Sequence, residues 1–126
     1  MDTFFIGKKL AAIRVRSFPN GTVPVQAHES ALQCLTQRRP KGHRVLPHRH
    51  VPQKRTTSIL QEALVVVSGK IRVSLFDAKG KLASKFVVQK GEAVVLLGAA
   101  HAVDFLETST LFEFKNGPFL EDKRNV

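Results

Sequence analysis

Apolar and polar residues alternate along much of the chain with a period of two, the pattern that sends successive side chains to opposite faces of a strand. It is plainest over residues 62–97, "EALVVVSGKIRVSLFDAKGKLASKFVVQKGEAVVLL", where β-branched runs are punctuated by "SGK", "AKGK" and "QKGE". Each punctuation supplies a glycine suited to a hairpin turn. Downstream, "HAVDFLE" and "TLFEFK" predict two more strands. Upstream, "LQCLTQRR", the turn "PKG" and "HRVLPHRH" predict another pair, and "FFIGKKLAAIRV" and "TVPVQA" two further strands. No segment keeps a period of 3.6 over the length of a helix. Roughly nine to eleven short strands at such turn spacings predict an all-β antiparallel sandwich or barrel.

At 126 residues, 43% of them hydrophobic, the chain has the size and apolar content of one folded domain. No apolar run approaches the roughly 20 residues of a membrane-spanning helix. The start, "MDTFFIGKKLAAI", places an acid before the apolar residues and lysines after them, the wrong order for a secretory signal. The single cysteine, Cys34, has no partner for an internal disulfide. A cytoplasmic protein is the expectation.

Charge sharpens the picture. Twenty Lys and Arg stand against ten Asp and Glu, a formal net charge of +10. Between Glu29 and Glu62 there is no acid, while Arg38, Arg39, Lys41, Arg44, Arg49, Lys54 and Arg55 fall in that interval. Such a balance attracts anions, although the bland account of a charge run is a solvated face that aids solubility. The interval 38–55 has no aromatic residue for base stacking and no nucleic-acid motif, so no specific nucleic-acid partner is expected.

Against this basic background one carboxylate stands out. His48 and His50 are one residue apart and share a strand face; Glu62, Leu64 and Val66 share another, and His101, Val103 and Phe105 a third. If those faces point inward, His48, His50, Glu62 and His101 all project into the core. A buried ionised Glu must be paired or bound to a metal. Imidazoles with one carboxylate suit zinc, iron, manganese, nickel or copper. The structural alternatives are a core or rim histidine at position 101 and a salt bridge from Glu62 to Arg72 or Arg44.

With these residues in view, the sequence resembles the cupin superfamily, whose first motif is Gly, five residues, His-x-His, a short gap, Glu, six residues, Gly. Gly42, "HRH", Glu62 and Gly69 fit it, with a longer gap of eleven residues between His50 and Glu62. The second motif is met by Gly91, Gly98 and His101, with Leu96 in place of its proline and Phe105 in place of its asparagine. The run from "PHRHVPQKR" to "LFEFKNGPF" is similar to small single-domain cupins of the WbuC type, encoded among bacterial surface-polysaccharide genes. In these a closing Glu-x-Lys-x-Gly-Pro-aromatic stretch matches Glu113, Lys115, Gly117, Pro118 and Phe119.

The resemblance implies a double-stranded β-helix, a jelly-roll barrel in one domain: N-terminal strands over 1–37, the cupin barrel over 38–119 and a polar tail over 120–126. It implies that His48, His50, Glu62 and His101 hold a divalent transition metal. Arg55, Gln61 and Arg44 become candidates for ligand contact or for supporting the metal ligands. Glu113 and Lys115 alternate with Phe112 and Phe114, either face could be inside, and they are placed outside the site.

The function expected on this basis is binding of, or action on, a small anionic or sugar-derived molecule. With Glu62 a ligand, no second carboxylate remains as a general base; His43 or a bound hydroxide would have to serve, and no catalytic residue is assigned. The alternatives are a non-catalytic ligand-binding or regulatory cupin and a metal-free enzyme resembling sugar-nucleotide isomerases, whose usual tyrosine this chain lacks. Edge strands of an open jelly roll need covering, so a homodimer joined through the N-terminal strands is expected.

Overall fold

A computed structural model describes all 126 residues. Ten strands form: β1 (Asp2–Ile6), β2 (Lys9–Val15), β3 (Gly21–Pro24), β4 (Leu35–Arg38), β5 (Glu62–Ser68), β6 (Lys70–Phe76), β7 (Leu82–Gln89), β8 (Ala93–Leu96), β9 (Ala100–Phe105) and β10 (Thr110–Lys115). All pairing is antiparallel. One sheet has the order β1-β2-β8-β5-β10, a second the order β7-β6-β9, and β3 pairs with β4 alone. The chain is all-β, and its sheets stay separate rather than closing into one barrel. No helix is long and apolar enough to cross a membrane.

The two larger sheets pack face to face. Leu64 and Val66 of β5, Ile71, Val73 and Leu75 of β6, Phe86 and Val88 of β7, and Val94 and Leu96 of β8 form the buried layer between them. The outer face of the five-stranded sheet carries Ile13, Val15, Ala63 and Val95, covered by Val25, Leu32 and Cys34 from the β3–β4 segment. The molecule therefore has three layers, with the five-stranded sheet in the middle. Alternate residues of β8 feed the two cores in turn, Val94 and Leu96 one and Val95 the other, as the period of two requires. The phenyl rings of Phe4 and Phe86 stack 3.8 Å apart across the two sheets. Arg14 lies over both rings, donates to the carbonyl of Val87 at 2.8 Å and pairs with Asp2 at 3.0 Å.

Three sequence expectations change. The opening stretch folds as two strands rather than one, β1 and β2, which pair with each other. Of the three glycine punctuations read as hairpin turns, only the one at Gly80 joins paired strands, β6 and β7. Those at Gly69 and Gly91 are corners where the chain crosses between sheets; a glycine at positive φ serves either use, and local sequence does not distinguish them. Finally, "HRVLPHRH" forms no strand: residues 41–61 make no ladder, and Val45, Leu46 and Val51 are exposed. Pro47 and Pro52 have no N–H to offer a ladder and bias their preceding residues, which weakens any strand built across them.

Candidate functional site

Glu62 opens β5 on the same face as Leu64 and Val66, at the edge of the inter-sheet core. Its side chain is only 9% exposed. His101 stands on β9 in the facing sheet, paired in register with Leu75 of β6, so it too points inward. The two heads meet across the end of the sandwich, His101 Nε2 lying 2.9 Å from Glu62 Oε2. The other ring nitrogen, Nδ1, is 3.0 Å from the carbonyl of Ala99, which can only accept. With both nitrogens facing acceptors, the contacts favour the imidazolium over the neutral ring.

A third group completes the cluster, one that sequence reasoning had set aside. Lys115 of β10 is the register partner of Glu62 on β5, and its Nζ lies 3.2 Å from Glu62 Oε1. This pairing turns Glu113 and Lys115 inward and Phe112 and Phe114 outward. The alternation within "TLFEFK" shows two opposed faces, but which one is inner depends on the pairing with β5.

The electrostatics follow from these contacts. The hydrogen bond from His101, reinforced by that from Lys115, holds the Glu62 carboxyl below its ordinary 4.5, against burial that would raise it. Glu62 in turn raises His101 above 6.5, helped by the Ala99 carbonyl and opposed by burial. The Glu62 contribution to stability is present above 4.5 and is lost as pH falls through its folded value; the His101 contribution is complete below 6.5 and is lost as pH rises through its folded value. Both overlap between pH 4.5 and 6.5. In chelator, the stability gap between the natural chain and Glu62→Gln should therefore be widest in that window, by about 1–2 kcal/mol after allowing for the partial exposure of His101. Urea midpoints measured across pH check this, and a gap independent of pH would refute it.

The remaining sequence candidates lie elsewhere. His48 and His50 are on the exposed connection between β4 and β5, their rings edge to face at 5.2 Å. His48 Nδ1 is 2.9 Å from the Leu46 carbonyl, the same contact with the second residue upstream that His101 makes. No group of three or more His, Cys, Asp or Glu side chains is close enough to share an ion, so the structure unites two of the four expected ligands and not the other two. Arg44 and Arg55 are exposed on the same connection, Arg55 donating to the Gln53 carbonyl. His43, the candidate base, is exposed at the turn after Pro40. Gln61 is buried, but its Oε1 accepts from the Leu32 amide at 3.0 Å, a tie to the β3–β4 layer. Neither Arg72 nor Arg44 pairs with Glu62; Arg72 is taken by Asp104 at 3.2 Å.

A cleft of about 410 Å³ opens beside the cluster, with Glu62 and Lys115 among its lining residues. Its walls are residues 57–60 and 116–123, so part of the expected polar tail bounds the cleft. Asn116 sets the wall: its Oδ1 accepts from the Gln61 amide at 2.8 Å, and its Nδ2 donates to the Ile59 carbonyl at 3.1 Å. Nothing in the sequence alone marked Asn116, since its role depends on a partner 55 positions away.

Comparison with known proteins adds no assignment: no family model, no curated protein and no solved structure matches the chain.

Proposed function

We propose that the chain is a metal-binding protein of the cupin type, a jelly roll whose open end takes a small ligand. The observation that carries this reading is the meeting of Glu62 and His101 from two different sheets. Two donors each about 2.1 Å from one tetrahedral ion stand roughly 3.4 Å apart, so the two heads, now hydrogen-bonded at 2.9 Å, need part only slightly to admit one. His101 also has the arrangement of a metal-bound imidazole, one nitrogen fixed by a carbonyl and the other directed at the site.

Glu62 and His101 would hold a divalent transition metal, and His48 and His50 would complete the set. These last two ride on a connection that pairs with no strand, while β9, which carries His101, has one edge free. An unpaired edge is a template for an extended segment. When bound, the metal supplies a Lewis acid able to polarise a carbonyl or hydroxyl oxygen or to lower the pKa of a water. Lys115 would give up its contact with the Glu62 carboxylate and retain Glu113, now 3.8 Å from its Nζ. Arg44, Arg49, Lys54 and Arg55 lie on the same connection, which favours a phosphate- or carboxylate-bearing ligand. No residue is assigned as a catalytic base, and binding without turnover fits the same groups.

A second reading has a specific observation behind it. The Glu62–His101–Lys115 cluster is already satisfied without a metal, and Glu62 and Lys115 line the cleft, where the Lys115 ammonium can meet an anionic group of a bound ligand. Elemental analysis separates the two. Untagged protein should carry close to one equivalent of a transition metal, His48→Ala/His50→Ala much less, and Glu62→Gln/His101→Ala essentially none. Equal metal in all three, or none in the natural chain after incubation with zinc, iron, manganese and nickel, would leave only the metal-free reading.

A further inference from the structure

The five-stranded sheet ends in two free edges, β1 and β10. They are not equivalent. β1 is interrupted by a register shift between Phe4 and Phe5, the kind of irregularity that blunts an edge, and its Asp2 is engaged by Arg14 and Arg16. β10 is regular from Leu111 to Lys115 and has no proline within it. Its outward face presents Phe112, 59% exposed, and Phe114, 54% exposed, with ring centroids 6.2 Å apart. Val67 of the neighbouring β5 adds to them at 48% exposed. In a chain of net charge +10, a regular strand edge beside two bare phenylalanines is an unprotected surface.

We infer that β10 is the homodimer seam, two copies pairing antiparallel about a twofold axis at Phe114 to make one ten-stranded sheet. The sequence of β10 fits this register. Placing Phe114 opposite Phe114 of a second copy sets Glu113 opposite Lys115 and Lys115 opposite Glu113, two cross-strand pairs of opposite charge on the inner face. On the outer face the four phenylalanines gather, each Phe112 diagonal to the other copy's Phe114. A shift of the axis to Glu113 would set two carboxylates face to face. The twofold arrangement uses each β10 edge once and closes, whereas a head-to-tail arrangement would leave an edge open for further growth. The inference does not require the metal, although both readings use Lys115, and it places the contact at β10 rather than at the N-terminal strands.

Sedimentation and cross-linking test it. The natural chain should sediment at twice the monomer mass at micromolar concentration. Phe112→Ser/Phe114→Ser, whose substitutions lie at exposed positions, should keep its circular dichroism and weaken association by about tenfold or more. In a Cys34→Ser background, Phe114→Cys should form a disulfide dimer under mild oxidation and Leu82→Cys, on β7 in the other sheet, should not. A natural chain that stays monomeric overturns the seam, as would an own segment such as residues 39–60 covering β10. A dimer unaffected by the serine pair, or one in which Phe114→Cys does not cross-link, overturns it equally by placing the contact elsewhere.

Discussion

Gly69→Ala is expected to cost about 3 kcal/mol or more, a large loss for a change of one methyl group. Gly69 has φ +89°, in the region that favours glycine, at the corner where β5 leaves one sheet and β6 enters the other. A Cβ there would collide with Ser109 Oγ and would come within 2.6 Å of both Ser109 Cβ and the carbonyl oxygen of Thr108. That carbonyl is backbone and cannot step aside as a flexible side chain could. Ser109 is itself fixed, its Oγ accepting from the Lys70 amide at 2.9 Å. The added methyl thus pushes on the β5–β6 corner and on the β9–β10 connection together. A urea titration should show a lower midpoint with an unchanged slope. A loss below about 1 kcal/mol would mean that the two corners are not in contact.

Leu75→Ala is expected to cost about 2–5 kcal/mol. Leu75 is fully buried in the layer between the sheets and is the register partner of His101. Its removal leaves a void on the strand beside the imidazole, and a close-packed interior recovers only part of such a loss by relaxing. The effect should have two faces. Global stability falls, measured by denaturant, and His101 loses the packing that aims it at Glu62. On the proposed reading, metal affinity should fall with it, while Leu75→Met, which nearly conserves volume, should restore most of both.

How much of this was legible before the structure depends on the residue. The all-β class and the strands of residues 62–115 follow from period and turn chemistry, because each strand's two faces meet different environments and the alternation records it. The inward aim of Glu62 and His101 is legible for the same reason, each being two residues from an apolar partner on its own strand. The place of Lys115 is not legible in the sequence, because "TLFEFK" shows two faces, one aromatic and one charged, and the aromatic face is the exposed one. Only the pairing of β10 with β5 settles that. The stretch 43–50 imitates a strand because Val45 and Leu46 are apolar between cations and His48 and His50 repeat at a spacing of two, while Pro47 takes away a ladder donor. Sequence also could not separate a hairpin from a sheet-crossing corner, since both ask only for glycine.

The place of β2 in the five-stranded sheet has a consequence for how the protein is made. Its sheet neighbour apart from β1 is β8, whose residues 93–96 come late in the chain. During synthesis the apolar hairpin of β1 and β2 emerges before β8 and waits until residues 93–96 have been made before it can dock. Contacts this distant in sequence form slowly, and a hairpin held open in the meantime is exposed to other nascent chains. Yield of folded material should be governed by that delay more than by final stability, and slower synthesis at low temperature is the remedy it suggests.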